Sequence, residues 1–228
     1  MKSESKHMTW AWLLTAILFF ALGTQSALAA IGSIVGSKHD FNVNGPSNFA
    51  GGSVQVCVYC HAPHAATTAT PLWNHQSSAA TYTMYTSPTL NATMGSQPGN
   101  TSKLCLSCHD GTVAIDSFGG TGAASTNKFG PTSPQNLGTN LGNDHPIGFA
   151  YDATLVTADP GLHDPVSTNV TIGTGNSGTI ATKMLIAGQV ECASCHDVHN
   201  STTGTAQEAK LLRVTATGSA ICIVCHKK

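Results

Sequence analysis

The chain has 228 residues, of which 9% are charged and 6% aromatic, with a formal net charge of -1. Ten basic residues against 11 acidic ones leave no basic face for nucleic acid and too little charge for a charged disordered tail. Apolar residues make up 41%, but large ones are few beside eight cysteines, so a core of Phe, Leu, Ile and Trp alone is thin.

Residues 1–29 read as a secretory signal. Lys2, Lys6 and His7 make a weakly positive start, and an apolar run follows from Trp10 to about Leu22. The run ends at Ala27-Leu28-Ala29, a small-x-small cleavage site. It falls short of the ~20 residues that a membrane span needs. The expectation is an exported mature chain, residues 30–228, with no membrane span.

All eight cysteines fall in four copies of one pattern. These are Cys57-Val-Tyr-Cys60-His61, Cys105-Leu-Ser-Cys108-His109, Cys192-Ala-Ser-Cys195-His196 and Cys222-Ile-Val-Cys225-His226, here motifs 1 to 4. C-x-x-C-H is the attachment signature of c-type haem. Two thiols on one turn reach the two vinyl groups of a porphyrin, and the following His points at the iron. Structural disulfides and paired zinc sites use C-x-x-C without needing the His. His is 11 of 228 residues, so four such coincidences have a chance of roughly 5 × 10⁻⁶ under random placement. The cysteines therefore predict four covalent haem c groups, with His61, His109, His196 and His226 as proximal iron ligands.

Six further histidines follow the signal: His39, His64, His75, His145, His163 and His199. The order His, C-x-x-C-H-x-x-H, C-x-x-C-H occurs once over residues 39–109 and again over 145–226. This pseudo-repeat divides the chain into halves of about 30–130 and 131–228. It picks out His39, His64, His145 and His199 as distal ligands, whereas His75 and His163 have no counterparts. His61 and His64 lie three residues apart, so their Cα atoms are at most about 11 Å apart. His64 cannot easily reach the far face of the same iron and is expected to serve a neighbouring haem. The same holds for His199 beside His196. Met84, Met94 and Met184 are the other possible distal ligands, which six spare histidines make unnecessary.

The stretches between motifs are rich in Thr, Ser, Gly and Asn and read as loops. Short helical turns are expected to carry the motifs. Residues 81–86 read as a short strand, and residues 166–172 and 179–186 as a hairpin around 173–178. The fold class expected is a mostly irregular, loop-rich multihaem cytochrome c with short helices, few short strands and a haem-centred core. Pro71-Leu72-Trp73 is expected against a porphyrin face. Asp110 and Asp197, directly after proximal histidines, are expected to hydrogen-bond locally or to be solvated.

The chain resembles the doubled C-x-x-C-H multihaem cytochromes c, and more closely the tetrahaem extracellular cytochromes that polymerise into conductive filaments in metal-reducing bacteria. The stretches that carry the resemblance are residues 37–41, CVYCHAPH at 57–64, PLWNH at 71–75, CLSCHDGT at 105–112, NDHPIGF at 143–149, ECASCHDVH at 191–199 and CIVCHKK at 222–228. The resemblance implies bis-histidine ligation of all four haems, low potentials, and a homopolymer that takes electrons from upstream cytochromes and passes them to external acceptors. It also implies that a neighbouring subunit can donate one distal ligand, for which His39, near the mature N-terminus, is the candidate. The leading reading is an extracellular electron conductor and not an enzyme. A monomeric periplasmic shuttle is the alternative, and a multihaem reductase with an open iron position is a third reading.

Overall fold

The computed structural model describes residues 34–44, 55–64, 66, 71–119, 126–173, 175–199 and 211–227. The expected signal segment lies outside these residues. Helices are short: α1 (Phe41–Asn44), α2 (Asn100–His109), α3 (Ala153–Ala158), α4 (Ile180–Lys183), α5 (Cys192–Cys195) and α6 (Ala220–Ile223). Frequent Gly, Pro and β-branched Thr limit helix length by backbone and χ1 entropy. Motif 1 lies on a 3-10 turn, Val56–Tyr59, motif 2 ends α2, motif 3 forms α5, and α6 carries the start of motif 4. Among the described residues no helix is long and apolar enough to cross a membrane.

Strands come in two antiparallel pairs. β1 (Phe149–Ala150) pairs with β4 (Gln189–Val190), with Phe149 opposite Val190. β2 (Asn169–Ile172) pairs with β3 (Asn176–Thr179), with Val170 opposite Gly178. The second pair is a hairpin, but its return strand lies earlier than expected, and Ile180–Lys183 is helical rather than extended. The cause is Thr179, whose side chain accepts from the Thr182 amide and caps α4. The strand expected over 81–86 is reduced to one parallel bridge, Thr83 to Asn140.

The larger core cluster lies in the second half. Val170 and Ile172 point inward from β2 onto Ile180, Met184, Leu155 and Phe149. Val224 and Cys225 of motif 4 pack on it, and β4 leads directly into motif 3. The cluster is made of side chains, where the composition suggested a thin side-chain core. A smaller cluster joins Leu106 of α2 to Tyr82 and Leu141. Beside it the Asp110 carboxylate, 4% exposed, accepts from Ser78 Oγ at 2.5 Å, Tyr82 OH at 2.7 Å, and the Thr112 amide and hydroxyl at 2.7 and 2.8 Å. Burial pushes its pKa up, but these hydrogen bonds outweigh burial and hold it below the ordinary carboxylate value.

The two halves share a clamp that the order of histidines did not reveal. After motif 1, Ala62 N donates to Leu72 O and Asn74 N to Cys60 O, bridging His61 to Trp73. After motif 3, Asp197 N donates to Leu211 O and Arg213 N to Cys195 O, bridging His196 to Leu212. Leu72 and Leu211 occupy the same place and both have left-handed backbone, φ 63° and 52°. That conformation costs a non-Gly residue about 1–2 kcal/mol. Its recurrence at equivalent places ties the strain to the clamp.

Two substitutions test this packing. Ile180 is fully buried, so Ile180→Ala is expected to cost about 2–5 kcal/mol, read as a lower denaturant midpoint of the haem-loaded protein. Tyr82→Phe removes one hydrogen bond to the Asp110 carboxylate and is expected to cost about 1.5–3 kcal/mol in the same measurement.

Candidate functional site

Each motif turn presents its cysteines one helical turn apart with the His at its end. All eight cysteines are free thiols, and among the described residues no three His, Cys, Asp or Glu side chains converge as a metal cluster. Cys57 and Cys222, in the first and last motifs, are exposed, and the other six are partly buried.

Two proximal histidines have a fixed tautomer. His61 Nδ1 lies 2.7 Å from Pro71 O and His109 Nδ1 lies 2.9 Å from Gln135 O. A carbonyl can only accept, so Nδ1 carries the proton and Nε2 keeps its lone pair for a metal. His145 repeats the arrangement, with Nδ1 2.9 Å from Pro146 O. His39 is held neutral in another way. Burial first, and then the nearby His109, His196 and His199, together lower its pKa to about 4. Burial likewise lowers His109, against the opposing Gln135 hydrogen bond.

Proximal and distal rings meet across the motifs. His61 and His199 have ring centres 6.0 Å apart, His39 and His109 6.0 Å, and His145 and His226 6.5 Å. Two imidazoles on one metal, each bonded at about 2 Å with its centre ~1 Å beyond the bonding nitrogen, have centres about 6 Å apart. The spacing therefore fits a metal between each pair, and the residues fit the haem that the motifs imply. The interplanar angles are 24°, 52° and 74° respectively. His64 is exposed at the end of its motif.

His39 was the candidate for donation to a neighbouring subunit. Within the chain its ring centre lies 6.0 Å from that of His109. His75, the spare histidine after motif 1, is 2% exposed. Its nitrogens lie 2.8 Å from Gln76 O and 2.9 Å from Ala114 O. A neutral ring has one N–H to donate to one of these main-chain carbonyls, so His75 braces motif 2, where it also contacts Cys108 Sγ at 3.5 Å. His163 acts through its main chain: its amide donates to Cys225 O, and its carbonyl accepts from Tyr151 OH. Asp197 accepts from the His199 amide at 3.0 Å and faces Arg213 at 3.4 Å. Leu72 of Pro71-Leu72-Trp73 is 46% exposed, while Trp73 is 9% exposed and edge-on to His75.

The motifs also influence one another electrostatically in sequence order. Burial raises the Cys108 thiol, and Cys60 of motif 1 raises it further. Cys105 and Cys192 share a hydrogen bond that pushes Cys105 up and Cys192 down. Burial raises Cys225, with Cys195 of motif 3 adding to it. Sequence reasoning missed the groups that make these junctions, among them Ser102 and Glu191. A buried Ser or Glu carries no motif signal.

No curated protein matches the chain. Residues 185–228 match the family model described as the doubled CXXCH motif. That stretch contains motifs 3 and 4, which end in His196 and His226. Covalent attachment of haem c, and with it the electron transfer of a multihaem c-type cytochrome, is the chemistry this match supports.

Proposed function

We propose that the chain is a four-haem, bis-histidine electron carrier that works as the repeating unit of an extracellular conductive filament. The observation that carries the bis-histidine reading is the set of cross-motif ring pairs at 6.0, 6.0 and 6.5 Å. In them His199 serves the iron of His61, His39 that of His109, and His145 that of His226. By count, His64 then serves the iron of His196. Motifs 1 and 3 thereby exchange their trailing histidines, as the three-residue spacing requires.

Bound haem c supplies a one-electron Fe(III)/Fe(II) couple at each motif, with bis-histidine ligation giving lower potentials than Met/His. The residues of the chain do the rest. The paired cysteines fix each macrocycle covalently. The carbonyls of Pro71 and Gln135 hold two proximal rings in the metal-binding tautomer. Were both axial positions of each iron filled by His, no open iron position would remain for an oxyanion substrate, which favours a carrier over an enzyme.

Polymerisation draws support from the surface. Charged residues are only 9% of the chain, so a face desolvates cheaply when subunits stack. Exposed Cys57 and Cys222 put the first and last sites at the surface. Leu72 near motif 1 and Ile223 within motif 4 are each 46% exposed. Negative-stain microscopy of haem-containing material sheared from the cell surface is expected to show regular filaments containing this chain. Small monodisperse particles in a periplasmic fraction would show a shuttle instead.

Ligation is tested separately. His145→Ala is expected to leave four haems by intact mass and to turn one iron high-spin in electron paramagnetic resonance. His75→Ala is expected to leave every iron low-spin, because His75 binds main-chain oxygens. A new high-spin iron in His75→Ala would reassign the distal set.

A further inference from the structure

Helices α2 and α5 come from different halves of the chain and meet at a small buried polar junction. Ser102 in α2 is fully buried, and Glu191, just before α5, is 3% exposed. The Ser102 hydroxyl donates to Glu191 Oε2 and accepts from the Cys192 amide at 2.9 Å. Glu191 also forms a reciprocal capping pair with Ser194, its amide donating to Ser194 Oγ at 2.9 Å. Gly99 admits the carboxylate: a Cβ there would lie 2.0 Å from Glu191 Oε1 and 2.7 Å from Cδ. Among the described residues, neither ion pair involves Glu191.

A carboxylate buried without a cation carries a desolvation cost that hydrogen bonds only partly offset. Capping α5 does not require it, since a Ser, Thr or Asp would cap the helix from the surface. What distinguishes Glu191 is its reach across to α2. Ser102 lies one turn before Cys105, and Glu191 directly precedes Cys192. The hydrogen-bonded chain Glu191–Ser102–Cys192 therefore ends where the Cys105 and Cys192 thiols touch.

We propose that Glu191 is a positioning residue: through Ser102 it fixes the first attachment cysteines of the second and third haem sites against each other, and so sets the electronic coupling between the two halves of the chain. The proposal rests on the four-haem reading. Glu191 holds the junction at which an electron passes from one half to the other, and Gly99 is the space that lets it do so.

The test compares haem-loaded Glu191→Ala, Glu191→Gln, Ser102→Ala and Gly99→Ala with the parent protein. Intact mass gives the haem count. Magnetic coupling between ferric haems in electron paramagnetic resonance, with the Soret exciton signal in circular dichroism, gives the pairwise couplings. Glu191→Ala and Ser102→Ala are expected to keep four haems and to lose one pairwise coupling while the others stay. Glu191→Gln retains it, because the amide can still bond Ser102. Gly99→Ala displaces an intact Glu191 and loses the same coupling, which keeps the test open if Glu191→Ala fails to load. Four haems with every coupling unchanged in Gly99→Ala and Ser102→Ala would overturn the proposal. So would a uniform loss of all couplings, which would mark general loosening. A parent protein with fewer than four haems would instead overturn the reading on which it rests.

Discussion

A histidine three residues after an attachment His cannot turn back onto the same metal. That single constraint organises the rest of the molecule. A histidine so placed has to reach a metal held by another segment, and the proposed pairs supply the connections: the rings of His199 and His61, His39 and His109, and His145 and His226 lie close together. Each pairing closes a loop of roughly 70–140 residues, and closure entropy grows only slowly with that length. The proposed axial ligation would therefore supply long-range contacts that a loop-rich chain with short helices and strands of two to four residues could not supply by regular structure alone.

The motifs were fully legible in the sequence because their chemistry fixes both residue type and spacing. The candidate distal histidines were legible as a repeated order of residues, but their partners were not. Partnership depends on three-dimensional closure: nothing in the sequence around His39 indicates that its ring lies beside that of His109. His75 was ambiguous for a related reason. An imidazole in a sequence does not reveal whether carbonyls such as Gln76 O and Ala114 O already occupy its nitrogens. The hairpin was legible from its turn residues. Its register was not, because whether Thr179 extends a strand or caps a helix depends on Ile180 finding the core.

The repeat runs deeper in backbone than in sequence. Leu72 and Leu211 share a left-handed conformation and a clamp onto the preceding motif, yet the flanking residues differ, with Trp73 in one half and Leu212 in the other. Main-chain hydrogen bonds are indifferent to side-chain identity, so the clamp survives substitutions that erase the sequence likeness. The same indifference explains why the clamp was invisible before the structure, although the order of histidines around it was plain.

Electrostatic influence between motifs follows the chain order, from Cys60 and Cys108, through Cys105 and Cys192, to Cys195 and Cys225. Two of these interactions lie within a half. The middle one does not. It joins segments about 90 residues apart, and it is where a fully buried Ser102 and a nearly buried Glu191 meet. A side-chain core could have joined the halves there at lower desolvation cost. Apolar packing, however, tolerates sliding and repacking, whereas a hydrogen-bonded carboxylate has a preferred distance and direction. At a junction where two attachment sites must be held in register, direction is worth its desolvation cost.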